Sequence, residues 1–198
     1  MYVLPSLLTA QEQVRAVSPA NSSASTNRFV SPGVDAGDYV YVSGQGPRRP
    51  DGTMPSTFDA QFRQALGNLK AIVQSAGLTL DNVVYVQVYL TDMGSYAEMN
   101  RVFGEYFAKN PPARAVLGVA ALPDAPVTIN AVAVHNLDGR KAVYPASYSK
   151  EETAPPGMLT RDRLFISSMA GVDPATGKVP DDPGTQVDLA LDRMTAVV

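Results

Sequence analysis

Among the residues able to do chemistry, Arg114 stands apart. It follows Pro111, Pro112 and Ala113 in the stretch NPPARAVLGVAALPD, at the mouth of an almost wholly apolar run, and the next ionisable residue after it is Asp124. A planar guanidinium pairs bidentately with a carboxylate, and apolar surroundings strengthen the pair. Two kinds of partner fit this position. One is an acid of the same fold, with Asp92, Glu98 and Asp124 as candidates; the other is the carboxylate of a ligand. The remaining inventory is short. There is no cysteine, which removes disulfides, thiol nucleophiles and thiolate metal sites. His135 is the only histidine, so multi-histidine metal sites lack their ligands. It closes an apolar strand pattern and reads as a surface or interface residue. Asp173, Asp181 and Asp182 sit in turn and helix-start contexts, with no metal-ligand spacing. Arg48 and Arg49, in GPRRPDG, read as a solvated turn. No metal site is expected from these residues.

The chain has 198 residues, 45% of them apolar and 18% charged, enough for a core and without a disorder signature. Sixteen basic and nineteen acidic side chains give a net charge of −3, which offers no footprint for nucleic acid. No apolar run approaches the roughly 18 residues of a membrane helix. The opening MYVLPSLLTAQEQ lacks a basic leader and is interrupted by Pro5, so it does not read as a signal peptide as it stands. The expected location is cytoplasmic, with export the alternative if translation begins upstream.

The elements that must position Arg114 can be traced by periodicity. Residues 14–28 are small and polar and read as a lead-in. DYVYVSGQG is strand-like and runs into the turn PRRPDG. A helix opens at Ser56 and Thr57; Phe62, Ala65, Leu66, Leu69, Ile72, Val73 and Ala76 form its stripe and Gly77 its stop. VVYVQVYLTD alternates, with Val84, Val86, Val88 and Leu90 on one face and Tyr85, Gln87 and Tyr89 on the other. That second, semi-polar face suits a subunit contact. A second helix is expected from SYAE, where Ser95 and Glu98 have capping-box spacing, to Pro111. RAVLGVAAL and VTINAVAVHN supply two further strands. The sum is an α+β layered domain with two helices on one sheet face.

An internal similarity then appears. Val40–Val73 aligns with Leu164–Val198 with one insertion: Ser43 meets Ser167, Pro50 meets Pro174, Gly52 meets Gly177 and Gln61 meets Gln186. This reads as a tandem duplication at domain length, with the second copy incomplete and the sequence cut short. The expected divisions are a lead-in over 1–26, a first domain over 27–136, a linker over 137–157 and a partial second domain over 158–198.

The segments YVSGQG, QFRQALGNLKAIVQSAGLTLDNVVYVQVYLTDM, YAEMNRVFGEYF, PPARAVLGVAALP and VTINAVAV, in this order over roughly residues 27–136, resemble the RidA (YjgF/UK114) family. The resemblance implies a chorismate-mutase-like fold, a mixed sheet with two helices packed on one face. It also implies a homotrimer with clefts between neighbouring sheets, and enamine/imine deaminase activity without metal or cofactor. An older label for the family is ribonuclease. By resemblance, Arg114 grips the carboxylate of a small 2-imino or 2-enamino acid, so its partner arrives with the substrate. Gly44 and the amide of Val116 match backbone contacts to substrate, and Phe29 falls near the family's active-site tyrosine. Asn130 departs from the pattern, because deaminating members carry a glutamate there. An amide can hold a water but cannot take its proton at neutral pH.

Two functions are therefore expected to compete. One is hydrolysis of small imino acids to keto acids and ammonia, with Arg114 as anchor and Asn130 positioning water. The other is a non-catalytic module that binds small carboxylates or serves as scaffold, favoured by Asn130. An RNA-cleaving role fits poorly with the acidic charge. The second copy carries Ser168-Met169 where the first has Gly44-Gln45, and is expected to act as scaffold.

Overall fold

Alternation of valines with Tyr85, Gln87 and Tyr89 makes Val83–Leu90 (β4) an interior strand of the main sheet. It belongs to a computed structural model that describes residues 14–19, 30–146, 148, 153–173 and 175–198. The other strands of its sheet are β1 (Arg15–Val17), β2 (Gly33–Asp35), β3 (Tyr39–Gln45), β5 (Ala113–Gly118) and β6 (Val127–Val134). Their spatial order is β1-β2-β3-β6-β4-β5. Only β4 and β5 run parallel, so the sheet is mixed. Helices α1 (Phe58–Ser75) and α2 (Tyr96–Tyr106) cover one face. The fold is thus the α+β architecture expected from the sequence, a mixed sheet with two helices on one face.

The helix stripes bury as their spacing requires. Phe62, Ala65, Leu66, Leu69 and Val73 are fully buried against Val40, Val86, Val88, Leu90 and Ile129. Thr57 caps α1 by accepting from the Ala60 amide, and Gly77 ends it at φ +79°.

Three local expectations are corrected. A register shift between Val83 and Tyr85 turns Val83 to the helix side, while Val84 joins Tyr39, Ala113, Val134 and Met158 on the opposite face. Ser95 makes no side-chain cap; it ends a 3-10 turn whose start is held by Asp92, accepting from the Gly94 amide at 2.8 Å. And the lead-in contributes a strand: β1 pairs with β2, and Arg15 Nη2 meets Asp35 at 2.8 Å. The other Asp35 oxygen lies 3.1 Å from His135 Nε2, which gives the single histidine a structural partner. Burial would raise the Asp35 carboxyl, but hydrogen bonds from Arg15 and His135 outweigh it and hold the group below its usual range.

The linker expected over 137–157 also carries structure. β7 (Lys141–Val143), β8 (Gly157–Leu159) and β9 (Leu164–Ile166) form a second sheet, followed by α3 (Pro183–Thr195). The order and register match those of β1, β2, β3 and α1. Gly33 faces Val17 and Val42, and Gly157 faces Val143 and Ile166. Ser43 Oγ donates to Ser31 O and Ser167 Oγ to Pro155 O; Gln61 Nε2 donates to Pro55 O and Gln186 Nε2 to Pro180 O.

The second sheet lies across the helix-free face of the first. Phe165 stacks on Tyr85 at 5.9 Å, and Met158 is fully buried among Tyr39, Val84 and Val134. Tyr39 Oη bonds Thr160 Oγ1 at 2.7 Å and also donates to Asp162, while the Arg163 guanidinium sits 4.1 Å from the Tyr39 ring centre. The semi-polar Tyr85 face is therefore covered in part from within the chain. Among the described residues no helix is long and apolar enough to cross a membrane.

Candidate functional site

Strand β5 is an edge strand of the first sheet, and its alternation decides where Arg114 goes. Arg114 faces Val86 across the ladder and shares its side of the sheet, the helix side. There α2 receives it: the guanidinium lies 4.4 Å from the Phe103 ring centre, Nη2 donates to Asn100 Oδ1 at 2.6 Å, and Nη1 lies 3.9 Å from Met99 Sδ. Nη2 also donates to Thr153 Oγ1 at 3.0 Å. The residue is only 6% exposed, so a permanently charged group is held nearly dry. The stiff Pro111-Pro112 lead-in brings the chain from α2 into this edge.

The backbone of Arg114 points away from β4 and meets the second segment. Its N–H donates to Ser167 Oγ at 2.8 Å, and its carbonyl accepts from the Ser168 amide at 3.0 Å. Strand alternation turns the backbone of Val116, two residues on, toward the same side. Between these parts opens a cleft of about 430 Å³ lined by Tyr96, Asn100, Arg114, Val116, Thr153, Ser168 and Arg193, among others. None of the described residues lining it is acidic. Hydroxyls, an amide and two guanidiniums are among the groups that line it.

The structure sorts the sequence-predicted residues into two groups. Arg114 and Val116 share the cleft. Gly44 and Asn130 do not reach it: Asn130 pairs with Gln87, whose own partner on β5 is Ala115, so Asn130 belongs to the opposite sheet face from Arg114. Gly44 lies on β3, beyond β6 and β4 from the Arg114 edge. One chain therefore does not assemble all four around one substrate. Phe29 lies outside the described residues.

Sequence reading missed the far wall. Ser167 and Ser168 occupy the positions that align with Ser43 and Gly44, yet they are the ones seated beside Arg114. The second segment is thus more than scaffold, because it completes the cleft. Asn100 and Thr153 were missed for the same reason, being remote from Arg114 in sequence. Among the described residues no three His, Asp or Glu side chains cluster as a metal site requires.

Comparison with known proteins identifies relatives over the first part of the chain. The family model described as endoribonuclease L-PSP matches residues 19–135. The 2-iminobutanoate/2-iminopropanoate deaminase of Escherichia coli (strain K12) is 36% identical over 125 residues, which is 61% of this chain and 97% of that protein. A RutC family protein of Pyrococcus horikoshii is 40% identical over 106 residues, 52% of this chain and 84% of that one. The crystal structure of the E. coli YjgF gene product superposes with a TM-score of 0.58 at 34% identity, over 62% of this chain and 99% of that chain.

Proposed function

The chain belongs to the endoribonuclease L-PSP family, the RidA/YjgF group, and on that footing we propose that it hydrolyses small 2-imino or 2-enamino acids to 2-keto acids and ammonia. The observation that supports this reading is the nearly dry Arg114 guanidinium, set over Phe103 and bordering a polar cleft that Val116 also lines. Arg114 takes the substrate carboxylate in a two-point grip, with Phe103 beneath and Asn100 fixing its angle. The amide of Val116 donates to the same end of the substrate.

The chemistry needs little more than position. Water adds to the electrophilic C=N carbon, its proton passes to nitrogen, and collapse of the carbinolamine expels ammonia and leaves the ketone. In this cleft the Ser168 hydroxyl, at the position aligned with Gly44, holds the water; a hydroxyl orients but is a poor base at neutral pH. Slow turnover is expected. Within the same reading the second segment stands where the sheet of a neighbouring subunit borders the family's clefts. The Gly44 and Asn130 face is left for the next chain of a homotrimer.

A non-catalytic carboxylate-binding role is the second reading, favoured by the amide of Asn130 and by the acid-free lining of the cleft. The two separate on one assay. An imine generated in situ from 2-aminoacrylate is followed as pyruvate, with Arg114→Ala beside the native chain. Turnover above the buffer rate, falling by about 100-fold or more in Arg114→Ala, is the expected outcome. A folded native chain that gives no rate above buffer rules out the deaminase reading.

A further inference from the structure

Arg193 lies in the last turn of α3 and lines the same cleft as Arg114. Its counterpart on α1 shows what that position needs structurally. Asn68, seven residues after Gln61 as Arg193 is seven after Gln186, donates from Nδ2 to Gly46 O at 3.0 Å and to Arg48 O at 2.9 Å. Arg193 Nη1 donates to Ala170 O at 3.2 Å, and Ala170 follows Ser167 at the same distance as Gly46 follows Ser43. Tethering the loop to the helix is therefore work that an amide can do. The guanidinium is in excess of it.

The excess is also oriented. Arg193 Nε donates to Tyr148 Oη at 3.0 Å, and the guanidinium carbon lies 5.1 Å from the Tyr148 ring centre. Among the described residues Arg193 makes no ion pair. A fixed cation thus borders the cleft that the Arg114 guanidinium also lines. The volume, about 430 Å³, also exceeds what a three- or four-carbon imino acid fills; clefts of this size take larger ligands.

We propose that Arg193 is a specificity-determining residue, and that the ligand favoured by this cleft carries two acid groups, one held by Arg114 and the other by Arg193. The substrate class is then the imine or enamine of an amino dicarboxylic acid. This rests on the assignment of Arg114 as the carboxylate anchor.

The test uses stable keto acids as product analogues, 2-oxobutanoate with one carboxylate and 2-oxoglutarate with two, titrated by calorimetry at one fixed ionic strength. The native chain is expected to bind 2-oxoglutarate about tenfold more tightly, a charge-assisted pair being the difference. Arg193→Asn, which restores the Asn68 chemistry and keeps the loop tether, should cut that preference below threefold by weakening 2-oxoglutarate. Arg193→Lys should retain part of it. Equal binding of the two acids by the native chain, or a preference that survives Arg193→Asn, overturns the proposal while leaving Arg114 as anchor. Should neither acid bind, or should Arg114→Ala bind 2-oxobutanoate as the native chain does, the anchor assignment itself fails and this inference with it.

Discussion

Helices α1 and α3 begin alike. Each opens on a side-chain cap, Thr57 for one and Asp182 for the other, and each holds the preceding loop through a glutamine, Gln61 to Pro55 O and Gln186 to Pro180 O. Each ends against a strand glycine: an added Cβ on Gly33 would lie 2.8 Å from Ile72 in the last turn of α1, and one on Gly157 would lie 2.6 Å from Val197, just beyond α3. They part company on the stripe between. Phe62, Leu66 and Leu69 of α1 are fully buried, while Val187, Leu191 and Met194 of α3 are 57%, 49% and 38% exposed. Caps and tethers place a helix; strands β4 and β6 with α2 are what make its stripe a core. The second difference concerns chemistry. The Ser43-Gly44 corner of the first segment sits away from the Arg114 cleft, and the matching Ser167-Ser168 corner closes on Arg114.

The largest expected effect tests the first difference. Leu66→Ala should cost about 2–5 kcal/mol in urea unfolding, since it opens a cavity in a closed core. Leu191→Ala, at the matching position, should cost less than about 0.5 kcal/mol. Similar losses for both would show that α3 has a buried partner and that the contrast is false.

The next concerns the two serines. Ser167 Oγ accepts from the Arg114 amide and donates to Pro155 O, so Ser167→Ala breaks two bonds and leaves a backbone amide without its partner. A loss of about 1–3 kcal/mol is expected, against about 0.5–1.5 for Ser43→Ala, which gives up one bond to Ser31 O. The smallest effect belongs to the β1–β2 edge. The lowered Asp35 pKa contributes stability that is complete above the ordinary carboxylate value of about 4 and is lost as pH falls through the lowered value. Asp35→Asn should flatten the fall of Tm with acid below about pH 4.

How much was legible follows the same division. The α1 stripe, the Gly77 stop and the β4 alternation could be read because each is a local periodicity with a local cause. The Val83–Tyr85 shift could not, since nothing in a run of valines marks which one slips. The strands Arg15–Val17 and Lys141–Val143 are three residues long and are held by their neighbours, not by their own propensity. Arg114 was legible as an isolated cation in an apolar run, and its proposed role as anchor, like that of Val116, came from the family resemblance. Ser167, Ser168 and Arg193 were not, because they lie more than fifty residues from Arg114 and only the docking of the second sheet brings them to it. Asn130 and Gly44 were legible as family positions, yet their place on the far face depends on strand order, which no motif states.

The most direct measurement is a crystal structure of the chain with 2-oxobutanoate bound. The expected result puts the ligand carboxylate on the Arg114 guanidinium, in the cleft bordered by Val116, Ser167 and Ser168. Ligand density at Gly44 and Asn130 with the Arg114 cleft empty would contradict the assignment of the site.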